Sequence, residues 1–229
     1  MGPALLAERQ SLKAHHPLGA STGYMDEHRG DWPRLVEETL LISPLVAELA
    51  ALTEPEFRSL IDYPDGNPAL PFRYLSIHAP SKDRRLSDRE LVDLIGRLPT
   101  SVDAVVLHPD TISDPEAYAS LGRVITIENM DSRKGDGRDA IELDRFFEAL
   151  PEAGFCFDVA HAWSLDPSME LAVSLLDHFA ERLRHVHVSS VSGDCEHGPL
   201  TAEHERLFLP VLARCSDVPW ILEAPFRED

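Results

Sequence analysis

Histidine, aspartate and glutamate residues follow a series of short apolar runs, at the points where those runs end. They are His78, His108, Glu128, Asp158, His161, His187, His197 and Glu223. Imidazole and carboxylate groups are the ligands that suit zinc, manganese and iron. Buried carboxylates without a partner are costly. Because several such groups on one rim would destabilise one another unless a cation lay among them, the pattern predicts a shared divalent-metal centre.

A single histidine at a strand end is more often a hydrogen-bonded core residue than a ligand. Six successive runs that end in His, His, Glu, Asp, His and Glu are better explained by one metal site. His185 lies two residues before His187 on the same strand face, so we expect it deeper in the fold or in contact with a ligand. His178 and His204 fall in helical patterns and are predicted to be solvated surface residues. The sequence assigns no role to three further histidines: His15, His16 and His28.

Eight apolar runs set the expected architecture. They are Leu18–Gly23, Leu45–Leu49, Tyr74–His78, Ala104–His108, Val124–Glu128, Phe155–Asp158, Leu183–Val188 and Trp220–Glu223. Short buried runs that alternate with helical patterns are typical of βα units and a parallel sheet. The sequence therefore predicts a compact (β/α)8 TIM barrel. Only six residues follow Glu223, so we expect no full final helix and a flank covered by the N-terminal segment or by a second subunit of a homo-oligomer.

Helix signals fall between the runs. Ser87 and Glu90 form a capping-box pattern, the stretch from Asp139 to Leu150 has helical periodicity, and Thr201 is a candidate N-cap. A doubly wound open sheet is the rival architecture. Such a sheet usually carries a glycine-rich nucleotide fingerprint after its first strand, and the two glycines of Gly19–Gly23 have the wrong spacing for it.

Composition limits the domain count, the location and the partners. The 229 residues are 43% hydrophobic, which predicts one domain spanning residues 1–229. Twenty-one basic against 40 acidic residues give a formal charge of −19, which disfavours nucleic acid and anionic membranes as partners. Three cysteines without paired spacing indicate a reducing compartment, and no apolar run approaches the ~20 residues of a membrane span. We therefore expect a cytoplasmic protein.

Basic residues follow the third and fifth runs, in loops that would belong to the mouth of a barrel. Lys82, Lys134 and Arg133 are predicted to attract substrate there, and Trp163 is a further candidate contact. The alternative is that these are ordinary loop charges paired with neighbouring acids. The first interpretation predicts a small anionic or polyhydroxylated substrate.

The ordered series resembles the xylose isomerase-like barrel superfamily, which groups sugar isomerases and epimerases with the endonuclease IV type of apurinic endonuclease. The resemblance covers nearly the whole chain. It implies that Glu128, Asp158, His187 and Glu223 hold one divalent ion. The endonuclease branch adds a second ion on His78, on His108 of a His-Pro pair, and on Glu128. It adds a third on His161 and His197, although Cys195 stands where that branch has an aspartate.

The resemblance implies a cofactor of one to three Mn, Zn or Fe ions and two candidate reactions. In an isomerase or epimerase, Glu128 and Glu223 would move a proton and His161 would contact the substrate. In an endonuclease IV-like phosphoesterase, two or three ions would assist hydrolysis. The segment after the seventh run lacks the arginine common in epimerases. We expect the isomerase first and the phosphoesterase as the alternative. A barrel that only binds a metal or a sugar is a third hypothesis, disfavoured by the complete quartet.

Overall fold

Eight parallel strands close into a barrel in the computed structural model, which describes residues 17–63, 70–192 and 196–225. The strands are β1 (Leu18–Ser21), β2 (Val46–Ala50), β3 (Tyr74–His78), β4 (Ala104–Leu107), β5 (Ile125–Glu128), β6 (Gly154–Asp158), β7 (Leu183–Val188) and β8 (Trp220–Leu222). Each strand pairs with its sequence neighbours, and β8 pairs with β1 to complete the ring. The predicted TIM barrel is confirmed, with strand ends that differ from the apolar runs by at most two residues.

Alternate residues of each strand face two different environments. Leu75 and Ile77 of β3, like Phe155 and Phe157 of β6, belong to one large hydrophobic cluster between the strands and the surrounding helices. The residues between them face the interior of the barrel, because successive strand side chains point to opposite faces. That interior carries many polar side chains, including the buried Ser76 on β3.

Seven α-helices lie in the described residues. They are α1 (Trp32–Ile42), α2 (Glu54–Asp62), α3 (Asp88–Ile95), α4 (Ala140–Ala149), α5 (Val159–Leu165), α6 (Glu170–His178) and α7 (Ala202–Leu212). The predicted caps Ser87 and Thr201 are confirmed, since their side chains accept hydrogen bonds from backbone N–H groups in the first turns of α3 and α7. Asp139 caps α4 in the same way, although the sequence analysis predicted only the helix there. None of the helices in these ranges has the length and apolar character needed to cross a bilayer.

Two connections depart from the regular βα alternation. A 3₁₀ segment, Pro115–Val124, joins β4 to β5 in place of an α-helix, and it bends at Gly122, whose φ is +58°. Glycine suits this position because residues with a Cβ rarely adopt such a φ. After β8, the described residues 223–225 form no helix, as the sequence indicates. Coverage of that flank by the N-terminal segment stays a prediction, because residues 1–16 lie outside the described ranges.

The first two strands approach each other closely. Gly19 of β1 pairs with Val46 of β2. A Cβ on Gly19 would lie 2.1 Å from the carbonyl oxygen of Val46. Strand β2 can occupy its observed position only because residue 19 has no side chain.

A buried carboxylate joins the loops that follow β3 and β4. Asp88 accepts hydrogen bonds from the Arg84 guanidinium (2.7 Å) and the Tyr118 hydroxyl (2.7 Å) through Oδ1. Its Oδ2 accepts the backbone N–H groups of Ser113 (3.0 Å) and Asp114 (2.7 Å). Burial alone would raise the pKa of Asp88, but the hydrogen bonds from Tyr118 and Arg84 outweigh it and lower the pKa. The network therefore favours the ionised carboxylate.

Substitution of Asp88 by asparagine is expected to reduce the free energy of unfolding by about 3 kcal/mol at pH 7, because it leaves a buried guanidinium uncompensated. Since the folded pKa of Asp88 lies below the unfolded value of about 3.9, its contribution is complete above that pH and is lost as the pH falls through the folded pKa. Urea unfolding at pH 7 and pH 3 should show the difference between the two proteins shrinking in acid. Asp62→Asn, which removes an exposed ion pair with Arg97, is the control and should change stability by less than about 0.5 kcal/mol. Equal effects of the two substitutions would contradict the assignment.

Candidate metal centre

The predicted residues converge at the carboxyl ends of the barrel strands. Five of the strands end in, or are directly followed by, His78, His108, Glu128, Asp158 and Glu223, and His187 is the next-to-last residue of β7. His161 lies in the first turn of α5. His197 lies in a short two-stranded ribbon, Ser190–Val191 paired with His197–Gly198, that follows β7. The closed barrel thus brings all eight candidates to one end of the molecule.

Four of these residues form one compact group of potential ligands. A donor atom from each of Glu128, Asp158, His187 and Glu223 lies within 4.8 Å of the other three. Nδ1 of His187 is 3.1 Å from Oε1 of Glu128 and 3.4 Å from Oε1 of Glu223. This quartet is the set that the resemblance implies for the first ion.

The quartet brings three carboxylates close together in a site that is largely shielded from water. Burial raises the pKa of Glu128, but the charge of His187 and hydrogen bonds from His108 and His187 outweigh it and hold the pKa well below its usual range. Burial, together with the charges of Asp158 and Glu128, raises the pKa of Glu223 well above its usual range. The pKa values of the two glutamates are therefore shifted in opposite directions, because burial and mutual repulsion disfavour ionisation of all the carboxylates of the pocket at once.

A second group of potential ligands shares Glu128. Nε2 of His78 lies 3.0 Å from Nε2 of His108, and Oε2 of Glu128 lies 3.5 Å and 3.1 Å from these two nitrogens. Nδ1 of His78 donates to the backbone carbonyl of Ala79 at 2.8 Å. Since a carbonyl accepts only, Nδ1 carries a proton, and Nε2 is the nitrogen of His78 that could bind an ion. Two imidazoles and one carboxylate oxygen thus converge on one point.

A third group shares Asp158. Donor atoms of Asp158, His161 and His197 lie within 4.8 Å of one another. His161 donates from Nδ1 to the carbonyl of Asn129 at 2.9 Å, which leaves Nε2 as its lone-pair nitrogen. Asp158 is the carboxylate of this group within the described residues. Cys195 stands in the sequence where the endonuclease branch has an aspartate. Residues 193–195 lie outside the described ranges, and Glu196 is exposed.

Unpartnered oxygens indicate that the groups fit a cation. Oε2 of Glu128, Oδ2 of Asp158 and Oε2 of Glu223 are buried and accept no hydrogen bond of good geometry within the described part of the chain, although imidazole nitrogens lie 3.1, 3.7 and 3.2 Å away. Buried acceptors of this kind are rare in folded proteins unless an ion or water satisfies them. The mixed imidazole and carboxylate donors of the three groups are of the kind that suits Zn, Mn or Fe, and the expected number of one to three ions stays a prediction.

Asn129 is a site residue that the sequence analysis missed. Its amide Nδ2 donates to the carbonyl of Asp158 (2.9 Å), and its Oδ1 accepts the N–H of Asp158 (2.8 Å). Its own carbonyl accepts the hydrogen bond from His161 described above. Asn129 thus fixes two members of the third group. The signal in the sequence is its place directly after Glu128.

A polar layer lies deeper in the barrel, below the three groups. Glu48 of β2 is fully buried, with one carboxylate oxygen 3.0 Å from Nε2 of His187. His185 is also fully buried, and its Nδ1 lies 2.8 Å from the Tyr74 hydroxyl. Burial, with the nearby His187 charge, lowers the pKa of His185 to about 3, so the ring is neutral. The expected deep position of His185 is observed, whereas Glu48 was not predicted.

The basic residues proposed for substrate binding have acidic neighbours. Lys134 donates from Nζ to Asp110 at 2.8 Å, and Arg133 donates to both carboxylate oxygens of Asp131. Lys82 is exposed in the loop after β3. These ion pairs agree with the alternative interpretation of the loop charges. A direct contact of these three residues with substrate stays a prediction.

The remaining predicted residues lie outside the metal groups. Trp163 is partly buried and packs edge-on against His204 and Phe208 of α7, and its contact with substrate also stays a prediction.

His178 is exposed on α6 and pairs with Asp144 at 2.8 Å, as a surface residue would. His204 was predicted to be a solvated surface residue, but it is half-buried. Its Nδ1 accepts a hydrogen bond from the backbone N–H of Thr201 at the N-terminus of α7. Two further histidines, His15 and His16, lie outside the described ranges, and His28 pairs with Glu38 at 3.2 Å.

Comparison with known proteins gives similarity in structure alone. No protein-family model matches the chain, and no curated protein matches it. Endonuclease IV from Thermus thermophilus is similar, with 22% identity, a TM-score of 0.53, and 84% of this chain and 87% of that chain covered. D-psicose 3-epimerase from Clostridium cellulolyticum has 13% identity and a TM-score of 0.58, with 93% and 86% covered. The 3-keto-D-glucoside 4-epimerase YcjR from E. coli has 13% identity and a TM-score of 0.53, with 93% and 94% covered.

These similarities confirm the predicted resemblance at the level of the fold. The chain has the barrel of the xylose isomerase-like proteins, a fold that the solved structures of both an endonuclease and sugar epimerases share. Because one fold carries several reactions, the choice between them rests on the site.

Proposed function

We propose that the chain is a metal-dependent hydrolase of phosphoesters that holds at least two divalent ions. The observation that carries this proposal is the second ligand group, in which His78 and His108 converge on the same carboxylate that serves the quartet. An isomerase that uses one ion needs only the quartet. A pair of ions held near each other suits phosphoester hydrolysis, in which attacking and leaving oxygens both need stabilisation.

The residues of the three groups would have different roles in holding the ions. Glu128 holds the two groups together through its two oxygens, since Oε1 faces His187 and Oε2 faces His108. Asp158 joins the third group to the quartet. Backbone carbonyls fix the rings of His78 and His161 with Nε2 available. Divalent ions, when bound, polarise the phosphoryl group and lower the pKa of water.

The charge of the protein points to a small substrate. With a formal charge of −19, the chain repels a long phosphate backbone. The ion pairs of Lys134 and Arg133 also leave these loops with little net positive charge. We therefore propose a small phosphodiester or phosphomonoester as substrate. Abasic DNA, the substrate class suggested by the endonuclease resemblance, is the alternative to be tested.

A sugar isomerase or epimerase is the second candidate function. It is favoured by the completeness of the quartet, in which Glu128 and Glu223 lie 3.1 Å and 3.4 Å from Nδ1 of His187. In that reaction the two glutamates would hold and move a proton at the substrate carbon, as expected from the sequence. The barrels of D-psicose 3-epimerase and YcjR are compatible with this alternative.

Substitution of His108 by alanine distinguishes the two functions. We expect the zinc- or manganese-loaded protein to hydrolyse bis(p-nitrophenyl) phosphate, and His108→Ala to lower kcat/KM by about 10²-fold or more, because one electrostatic stabiliser of the reaction is lost. Bound metal, measured by elemental analysis, should fall by one ion per chain. His178→Ala, on the exposed face of α6, is the matched control and should change neither quantity.

The opposite results would support a sugar isomerase or epimerase. Deuterium uptake by a ketose such as D-fructose in deuterated water, at a rate that His108→Ala leaves unchanged, would contradict hydrolysis. One ion per chain in the wild type would contradict it as well. Cleavage of an abasic-site oligonucleotide in preference to the small diester would retain the chemistry and overturn the proposed substrate size.

A further inference from the structure

Glu48 is an acidic residue in an otherwise apolar strand. It lies in the middle of β2, whose other members are Val46, Ala47, Leu49 and Ala50, and its side chain is fully buried inside the barrel. Isolation of a carboxylate from water costs several kcal/mol unless partners compensate. Replacement of a whole buried charged network by apolar residues is often neutral or stabilising. A requirement other than packing would therefore explain a glutamate at this position.

The barrel surrounds Glu48 with hydrogen-bond donors. Strand pairing places Ser21 of β1 and Ser76 of β3 on either side of it. The Ser21 hydroxyl donates to Oε1 at 3.0 Å, and the Ser76 hydroxyl donates to Oε2 at 2.9 Å. The third neighbour is Nε2 of His187, 3.0 Å from Oε2. Two serines thus fix the direction in which the carboxylate faces the histidine.

Both ring nitrogens of His187 face a carboxylate, Nε2 facing Glu48 at 3.0 Å and Nδ1 facing Glu128 at 3.1 Å, but only Glu128 belongs to the quartet. An ionised carboxylate only accepts hydrogen bonds, so Nε2 of His187 carries a proton. The other ring nitrogen, Nδ1, faces the quartet, 3.1 Å from Glu128 and 3.4 Å from Glu223. Histidine ligands in metal sites usually donate their second ring N–H to a carboxylate or carbonyl, which fixes the tautomer and strengthens the ligand. The arrangement around His187 has this form.

We propose that Glu48 is a positioning residue of the metal centre, which holds His187 with its proton on Nε2 and its Nδ1 directed at the quartet. This inference rests on the metal centre of the proposed function but not on the reaction catalysed there. Ser21 and Ser76 act through Glu48, since each donates to one of its oxygens. Glu48 belongs to none of the ligand groups formed by the described residues, so its role would be exerted through His187.

Zinc affinity of the purified protein, measured by competition with a chromophoric chelator, tests this role. We expect Glu48→Gln to weaken the zinc bound at the quartet by about 10- to 100-fold, the usual effect of removing such a partner. The glutamine keeps the size of the side chain, but its amide can donate to Nε2 and favour the wrong tautomer. In ¹⁵N NMR spectra of the zinc-loaded wild type, Nε2 of His187 should carry a proton that exchanges slowly, and this proton should exchange faster in Glu48→Gln.

Two further variants separate positioning from simple structural support. Asp88→Asn removes another buried, hydrogen-bonded carboxylate that contacts no candidate ligand. It should lower stability without changing zinc affinity. Ser76→Ala leaves Glu48 in place with one donor fewer, so it should weaken zinc by a smaller factor even if Glu48→Gln folds poorly.

The outcomes separate this inference from the proposed function. Equal zinc affinity in the wild type, Glu48→Gln and Ser76→Ala would overturn the positioning role and leave phosphoester hydrolysis intact. A wild type that binds zinc without hydrolysing phosphoesters would overturn the proposed function. In that case a weaker affinity in Glu48→Gln would still support the role of Glu48. A wild type that binds no zinc or manganese would overturn both.

Discussion

Replacement of Glu128 by glutamine is expected to lower phosphoester hydrolysis by at least about 10³-fold, more than any other single substitution at the site. Removal of one electrostatic stabiliser typically costs about 10²–10³-fold in kcat. Glu128 belongs to two ligand groups, so its loss affects both. Glutamine has the same shape but offers one neutral oxygen, and its NH₂ group repels a cation.

Metal content provides the independent measurement for this prediction. Glu128→Gln should lose two ions per chain under conditions in which His108→Ala loses one, because His108 belongs to a single group. Glu142→Gln is the matched control, since Glu142 pairs with Arg138 on the outer helix α4. If Glu128→Gln retained the ion count of the wild type, the bridging role of Glu128 would be wrong.

Substitution of Gly19 by alanine is expected to destabilise the barrel by about 3 kcal/mol or more, above the usual range of overpacking. The new Cβ would lie 2.1 Å from the carbonyl oxygen and 2.5 Å from the carbonyl carbon of Val46. These are backbone atoms, so relief requires a shift of β2 as a whole. Because β2 also carries Glu48, the shift should move the carboxylate away from His187 and weaken zinc binding.

Urea unfolding with a matched glycine distinguishes this effect from a general cost of alanine. Gly135→Ala adds the same methyl group in the loop after β5, where no heavy atom lies within 4 Å. We expect it to change the free energy of unfolding by less than about 0.5 kcal/mol. Similar midpoints for the Gly19→Ala and Gly135→Ala proteins would show that the close approach of β1 and β2 does not limit stability.

Much of the fold is predictable from the sequence, because parallel strands buried on both faces appear as continuous apolar runs. The run at Tyr74–His78 coincides with β3, and the capping box at Ser87 begins α3. The connection between β4 and β5 is less predictable. It is a 3₁₀ segment that bends at Gly122, a conformation that hydrophobic periodicity does not indicate.

Six of the candidate ligands were predictable for a related reason, since each lies at or next to the end of a barrel strand, whereas His161 and His197 lie beyond the strand ends. The residues that hydrogen-bond to these ligands were not predictable, because their contacts depend on closure of the barrel. Glu48 and His187 are 139 residues apart and meet only when the ring is complete. Asn129 was missed because its role lies in hydrogen bonds to the backbone of Asp158, on the neighbouring strand. The ion pairs of Lys134 and Arg133 likewise depend on loop shape.

The alternation along the strands has a consequence for how this chain can change. Residues such as Ile77 and Phe157 pack outward into the hydrophobic cluster, whereas His78 and Asp158, the next residues, serve the centre. Residues that pack the core and residues that are candidate ligands therefore alternate along the same strands. Substitutions at every second position could replace the ligands, and with them the reaction, while the packing between strands and helices remains intact. Such a barrel can diverge in activity without first losing its fold.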